Sequence, residues 1–100
     1  MLDAVTSPRR REILRLVWQQ ELPAGEIAAR FDVSWPAISQ NLAVLRKAGL
    51  VIERKEANRR YYRADRAAAG PLAAVLEERW RHDLGTLRDV VEAEVRGADR

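Results

Sequence analysis

At 100 residues, with 47% apolar and 33% charged side chains, the chain is expected to fold as one compact soluble domain rather than to remain disordered. It contains no cysteine, which excludes disulfides, thiolate metal sites and cysteine nucleophiles. It also lacks an apolar run typical of a membrane span or a signal peptide, so we expect a cytoplasmic protein. The net charge of +3 is unevenly distributed, because residues 1–66 carry 13 basic and 8 acidic side chains whereas residues 67–100 carry 5 and 7. This favours a polyanionic partner for the first part, and a merely solvated surface is the alternative.

Two short amphipathic helices are predicted first along the chain. Ser7 and Pro8 are typical of a helix start, and apolar side chains recur at helical spacing between Arg9 and Gln20. A second, shorter helix is predicted from Glu26 to Phe31.

A third helix is predicted from Ser34 to Gly49. Ser34 is a typical N-cap residue, Pro36 suits the first turn, and Gly49 can adopt the left-handed conformation that ends a helix. The predicted buried face consists of Ile38, Leu42 and Leu45.

A β-hairpin is predicted next, from strand-like composition in residues 50–55 and 60–64. The residues between these strands include Asn58, which tolerates positive φ and therefore suits the turn. Tyr62 is assigned to the core and Tyr61 to the outside, on the premise that Ile52 also points inward.

The last predicted element is a helix of about twenty-five residues that starts at Gly70 and Pro71, after a short alanine linker. Its apolar stripe exceeds what three short helices and a hairpin can readily cover, so we expect a second copy of the chain to cover it. Packing against the first helix is the alternative. The predicted dimer interface comprises Leu2, Val5, Leu72, Leu76, Trp80, Leu84, Leu87 and Val91.

The second and third helices, joined by a tight turn, form a helix-turn-helix whose second helix can enter the DNA major groove, about 12 Å wide. The outward face of this helix has no carboxylate, which permits approach to a polyanion. Gln40 can form a bidentate pair with adenine, Ser39 can contact phosphate or base, and alanine methyl groups can meet a thymine methyl. The alternative is an ordinary packed helix with a plain outer surface.

Trp35 lies just after the helix start and outside the buried arc. It either packs against a deoxyribose or a phosphate edge or covers the core from the side, and the covering role is the one that we expect. The predicted DNA contacts on this helix are Ser34, Trp35, Pro36, Ala37, Ser39, Gln40, Asn41, Ala43 and Lys47.

The hairpin carries six basic and three acidic side chains, with several of the basic ones at its tip. A wing of this kind can bind phosphates beside the groove or place an arginine in the minor groove. A charged edge that discourages aggregation is the alternative. The predicted DNA contacts on the wing are Arg54, Lys55, Asn58, Arg59 and Arg60.

No arrangement typical of an enzyme is found, because no serine has a histidine and an acid at recognisable spacing and no glycine-rich loop follows a strand. The single histidine, His82, has Asp83 beside it and Glu78 one turn earlier, and such a group could bind zinc weakly. An exposed helical histidine is more often only solvated, so no metal and no cofactor are predicted.

The segment from Phe31 to Val51, FDVSWPAISQNLAVLRKAGLV, followed by the arginine-rich hairpin that ends in Tyr61 and Tyr62, resembles the ArsR/SmtB-type bacterial repressors. The resemblance covers nearly the whole chain. It implies a mainly α winged helix-turn-helix with a small β-hairpin, which dimerises through its terminal helices and represses by binding an inverted repeat. The family positions for recognition carry over to Ser34, Pro36, Ala37, Ser39 and Gln40, and those of the wing to Arg54, Lys55, Asn58, Arg59 and Arg60.

The chain departs from this family pattern at several positions. Asn41 stands where many relatives have histidine, and Asn58 where the wing turn often has glycine. The cysteines or the histidine and carboxylate sets of metal-sensing members are absent, so the chain is similar to the branch without a metal site. The inducing signal in that branch is an organic ligand, a partner protein or nothing.

The sequence therefore predicts a homodimeric, sequence-specific repressor that binds double-stranded DNA, without membrane association. Residues 1–66 form the predicted DNA-binding core and wing, and residues 67–100 the dimerisation helix, within one domain. The alternative is a winged-helix module that binds protein or RNA through the same surface.

Overall fold

The computed structural model describes residues 2–82. A 3₁₀ helix at Leu2–Val5 precedes five α-helices and three β-strands. In chain order these elements are α1 (Pro8–Leu16), β1 (Leu22–Pro23), α2 (Ala24–Ala29), α3 (Trp35–Lys47), β2 (Val51–Glu56), β3 (Arg59–Ala64), α4 (Arg66–Ala69) and α5 (residues 71–82). The strands form one antiparallel sheet in the order β1-β3-β2.

The core lies where α1, α2 and the sheet meet α3. The predicted buried face of α3 is confirmed, since Ile38 and Leu45 are 0% exposed and Leu42 is 2% exposed. Ile13 and Ile27, from α1 and α2, are likewise fully buried. Because apolar side chains from three short helices converge there, α3 is held firmly while its opposite face remains open to solvent.

Both ends of α3 are capped by the residues that the sequence indicated. The Ser34 Oγ accepts a hydrogen bond from the Ala37 N–H at 3.4 Å. At the other end Gly49 has a φ of +78°, and the N–H groups of Gly49 and Leu50 donate to the carbonyls of Arg46 and Leu45, each at 3.0 Å. This pair of bonds is a Schellman motif, which directs the chain sharply from α3 into the hairpin.

The first two helices differ in their bounds from the sequence prediction. The first was expected to reach Gln20 but ends at Leu16, and the Val17 carbonyl accepts a hydrogen bond at 2.9 Å from the N–H of Ala64 in β3. The second begins at Ala24 rather than Glu26 and ends at Ala29. The Val17 carbonyl, which would accept a helical hydrogen bond if α1 were longer, therefore pairs with the sheet instead.

The hairpin is larger and its turn tighter than predicted. Strands β2 and β3 pair from Val51 opposite Ala64 to Glu56 opposite Arg59, and β1 adds a third strand beside β3. The positive φ of the two-residue turn lies at Ala57, with a value of +55°, and not at Asn58. The prediction for Asn58 was wrong because this turn takes its left-handed residue at the first of its two central positions.

The premise that Ile52 points inward was also wrong, although Tyr62 is buried as predicted. Ile52 is 46% exposed and lies opposite Arg63, whereas Tyr62 lies opposite Glu53 and is 6% exposed. Leu50 and Val51 supply the apolar side chains at the start of the hairpin instead, at 0% and 3% exposure.

The chain divides into two compact units at the boundary between Ala69 and Gly70. In the first unit α4 is capped by the Asp65 Oδ1, which accepts from the Ala68 N–H at 3.1 Å. In the second unit Gly70, with a φ of +56°, precedes α5. Neither α5 as far as residue 82 nor any earlier helix is long and apolar enough to cross a membrane.

Candidate nucleic-acid interface

The outward face of α3 carries the small and uncharged side chains that the sequence predicted. Pro36, Ser39 and Gln40 are exposed, Ala37 and Ala43 are partly exposed, and Lys47 is exposed in the last turn. No acidic residue occurs between Trp35 and Lys47. The face can therefore approach a polyanion without electrostatic repulsion from its own helix.

Two of the predicted contacts on α3 are already engaged within the protein. Ser34 caps the helix through its hydroxyl. The Asn41 Nδ2 donates to the Ala37 carbonyl at 2.9 Å, and the Asn41 Oδ1 accepts from the Arg10 Nη1 at 3.3 Å. Asn41 therefore uses both ends of its amide inside the molecule.

Trp35 lies at the edge of an open cleft rather than over the core. Its side chain is 52% exposed. The cleft has a volume of about 520 Å³ and is lined by Trp35, by residues 23–26 and by Asn58, Arg59 and Arg60. The indole thus shares a cleft with the start of α2 and the tip of the wing, where part of a bound nucleic-acid strand could pack against it.

The tip of the wing presents cations to solvent. Lys55, Arg59 and Arg60 are exposed. Arg60 lies 4.0 Å from the Glu53 carboxylate, while within residues 2–82 Lys55 and Arg59 form no ion pair. At the tip of the wing, Lys55 and Arg59 are therefore free of a salt bridge to any described residue, whereas Arg60 lies within reach of one.

Arg54 occupies a different environment from the rest of the wing. Its guanidinium donates to both carboxylate oxygens of Glu21, at 2.7 and 3.0 Å, and to Glu56 at 3.0 Å. It also lies over the Tyr61 ring, 4.6 Å from the centroid. The hydrogen bond from Arg54 lowers the pKa of Glu21, and the same bond raises the pKa of Arg54. Arg54 links the wing to the loop before β1 and has two carboxylates as counter-charges.

Glu53 is a second acidic residue that sequence reasoning missed. Its carboxylate accepts from the Tyr62 hydroxyl at 2.9 Å and lies 3.8 Å from the Arg46 Nε. Burial, and then this hydrogen bond, raise the pKa of Tyr62. The pair depends on the strand register, in which Glu53 lies opposite Tyr62, and no pattern in the sequence indicated that register.

No constellation of three or more histidine and carboxylate side chains that could hold a metal ion occurs within the described part of the chain. His82 is exposed on α5. Its predicted neighbour Asp83 lies outside the described residues.

The residues of the predicted dimer interface differ in exposure. Val5 is 8% exposed in the single chain. In the second unit Leu76 and Trp80 are buried, Leu72 is half-buried, and Val75, which was not predicted, is 64% exposed. Leu84, Leu87 and Val91 lie outside the described residues, as does the side chain of Leu2.

Residues 7–53 match the model of the bacterial regulatory protein arsR family. The matched segment runs from the N-cap of α1 to the third residue of β2, and therefore includes the whole helix-turn-helix.

Two characterised relatives are similar in sequence. The transcriptional activator HlyU of Vibrio cholerae is 44% identical over 62 residues, which are 62% of this chain and 57% of HlyU. The transcriptional repressor SdpR of Bacillus subtilis is 36% identical over 62 residues, which are 62% of this chain and 69% of SdpR. The chain thus spans little more than half the length of the first of these proteins.

A solved structure shares the fold. The homodimeric winged helix-turn-helix DNA-binding domain of Mb0332 from Mycobacterium bovis, a possible ArsR-family regulator, is 33% identical, with a TM-score of 0.66. The match covers 75% of this chain and 69% of that domain. It confirms the predicted winged helix-turn-helix, and together with the family match and the sequence relatives it shows that the chain belongs to the arsR family of bacterial regulatory proteins.

Proposed function

We propose that the chain is a sequence-specific, DNA-binding transcription regulator that acts as a homodimeric repressor on an inverted-repeat operator. The observation that carries the proposal is the outward face of α3, which lacks carboxylates and lies in the same compact unit as a wing with free cations. A helix of small side chains next to unpaired cations suits a duplex better than it suits an acidic or an apolar protein surface.

In this proposal α3 recognises bases from the major groove. Gln40 pairs with the N6 and N7 atoms of an adenine, Ser39 contacts a neighbouring base or phosphate, and the Ala43 methyl group meets a thymine methyl. Each of these side chains is exposed or partly exposed on α3.

The wing and the last turn of α3 contact phosphates. Lys55 and Arg59 are exposed and without ion pairs among residues 2–82, so binding a phosphate requires no internal salt bridge to be broken. Lys47 supplies a further cation at the opposite end of the recognition surface. These contacts set the register of the protein on the duplex and contribute most of its salt-dependent affinity.

Dimerisation would place two copies of α3 in successive major grooves. The proposal is supported by the homodimeric domain from Mycobacterium bovis. A dimer bound across a promoter excludes other proteins from the DNA that it covers, which is the physical basis of repression. Of the two relatives, SdpR is named a repressor and HlyU an activator, and the proposal assigns the repressor role to this chain.

The test compares Gln40→Ala with Gln19→Ala, an exposed glutamine in the loop after α1. Binding is measured by fluorescence anisotropy with a duplex selected from a random pool and with a scrambled duplex. Gln40→Ala should weaken binding to the selected duplex by about 1–3 kcal/mol, because the loss of a bidentate base contact is of that size, and Gln19→Ala should not. Unchanged discrimination in Gln40→Ala would contradict base recognition by α3 and would favour a protein- or RNA-binding module.

A further inference from the structure

We propose that Arg10 is a positioning residue that ties the recognition helix to the N-terminal 3₁₀ helix, so that discrimination between DNA sequences depends on how the N-terminal segment is held. The proposal rests on the DNA-binding function proposed above. It concerns a side chain on α1, which has no place on the DNA-facing surface of α3.

The Arg10 guanidinium bridges two separate parts of the chain. Its Nε donates to the Ala4 carbonyl at 2.7 Å and its Nη2 to the Asp3 carbonyl at 3.1 Å. Its Nη1 donates to the Asn41 Oδ1 at 3.3 Å, across 31 residues of sequence. One planar group thus connects the 3₁₀ helix with α3, and the fork of an arginine is suited to such a geometry.

The bridge reaches the backbone of α3 through Asn41. The Asn41 Nδ2 donates to the Ala37 carbonyl one turn earlier, and this bond orients the Oδ1 towards Arg10. The Ala37 N–H is in turn the group capped by Ser34. Asn41 directly follows Gln40, so the network fixes the turn of α3 that carries the proposed base contact.

Arg10 differs from a side chain that binds phosphate, because it is partly buried and its guanidinium is already hydrogen-bonded within the protein. Arg10 and Asn41 are both partly buried, and three of the five N–H donors of the guanidinium are directed at protein oxygens. A lysine at this position would keep the positive charge but could not donate in three directions from one plane.

Arg11 provides a matched control within the same helix. Its Nη1 donates to the carbonyls of Val5 and Thr6, at 2.7 and 3.0 Å. Within residues 2–82 it forms no hydrogen bond to α3. Arg11 therefore anchors the same N-terminal segment without contacting the recognition helix.

The experiment measures affinity for the selected and the scrambled duplex, and the salt dependence of each, for the variants Arg10→Ala, Arg10→Lys, Asn41→Ala and Arg11→Ala. Arg10→Ala should lose about tenfold in affinity for the selected duplex, the size expected for one hydrogen bond to a charged group. Its affinity for the scrambled duplex and its salt slope should stay the same. Asn41→Ala should show the same loss, the double variant no further loss, and Arg10→Lys no recovery.

The outcomes separate the positioning role from its alternatives. Recovery in Arg10→Lys together with a lower salt slope in Arg10→Ala would identify a phosphate ligand and overturn the proposal. An equal loss in Arg11→Ala would overturn it in favour of general anchoring of the N-terminal segment.

If Arg10→Ala fails to fold, full discrimination by a folded Asn41→Ala would still overturn the positioning role. A wild-type protein that does not discriminate between the duplexes would refute the proposed function as well, whereas discrimination that persists in both Arg10→Ala and Asn41→Ala would refute the positioning role alone.

Discussion

Gly49 ends α3 with a φ of +78°, which a residue with a Cβ adopts only at a cost. A Cβ built at this position would meet no atom within 4 Å, so the expected effect of Gly49→Ala comes from the backbone and not from a clash. We predict that Gly49→Ala lowers the free energy of unfolding by about 1–2 kcal/mol in urea denaturation.

Gly25 is the control for this prediction. A Cβ at Gly25 would also meet nothing within 4 Å, but Gly25 lies in α2 without a positive φ. Gly25→Ala should preserve or raise stability, because alanine favours a helix over glycine. Equal losses of unfolding free energy in the two variants would show that the left-handed conformation of Gly49 is not the cause of the destabilisation.

The pairing of Glu21 with Arg54 predicts a specific dependence of stability on pH. Arg54 holds the pKa of Glu21 below its ordinary value of 4.5, so the folded state binds fewer protons here than the unfolded state. The pairing therefore stabilises the fold above pH 4.5, and this contribution is lost as the pH falls below 4.5 through the lowered folded value. Glu21→Gln should be less stable than wild type at neutral pH and should lose less stability on acidification.

The measurement for Glu21 is denaturant unfolding at a series of pH values from about 3 to 7. Convergence of the two stability curves at the acid end is the expected result. Parallel curves would mean that the pairing with Arg54 does not stabilise the folded state.

At the scale of elements, α3 was predictable because local signals and tertiary packing agree. Ser34, Pro36 and Gly49 mark its ends, and each has the role in the structure that its residue type indicates. The first helix was predicted too long because the Val17 carbonyl pairs with β3, and no local pattern reports a strand more than forty residues away. The turn residue was predicted at Asn58 rather than Ala57 because propensity favours asparagine, whereas the strand register decides the position.

The side chains of the candidate interface were predictable from the sequence, but their polar partners within the protein were not. The sequence identified the basic wing, yet it could not show that Arg54 is held by Glu21, which lies 33 residues earlier in the chain. It likewise placed Asn41 among the DNA contacts, because helical spacing cannot show that Arg10 occupies its Oδ1. Whether a cation or an amide is free to bind DNA therefore depends on polar pairs between residues that are distant in the sequence.

The wing itself yields a prediction that distinguishes its tip from its base. Arg59 lines the cleft beside Trp35, whereas Arg63 lies in the same strand but lines a different cleft, next to Ile52 and residues 19–21. Arg59→Ala should weaken binding to every duplex and reduce the salt slope by about one. Arg63→Ala, which removes the same charge, should leave that slope unchanged in anisotropy titrations at several salt concentrations. Equal effects would mean that the wing acts only through its net charge.

Across the whole molecule, basic and acidic side chains are distributed unevenly. Residues 1–66, with 13 basic and 8 acidic side chains, include the whole helix-turn-helix and wing, while the remaining residues carry 5 and 7. The excess of basic side chains in the part that holds the helix-turn-helix suits the DNA partner proposed for it. In a twofold dimer the two recognition helices are related by symmetry, and so are the half-sites that they contact.

Selection of bound duplexes from a random pool by the wild-type protein would show whether the chain recognises a DNA sequence as a dimer. We expect enrichment of an inverted repeat whose half-sites are centred about one helical turn apart, roughly 34 Å. Gln40→Ala should lose that enrichment at positions within each half-site. A pool that remains random after repeated rounds, or one enriched in single unrepeated sites, would contradict a homodimeric, sequence-specific regulator.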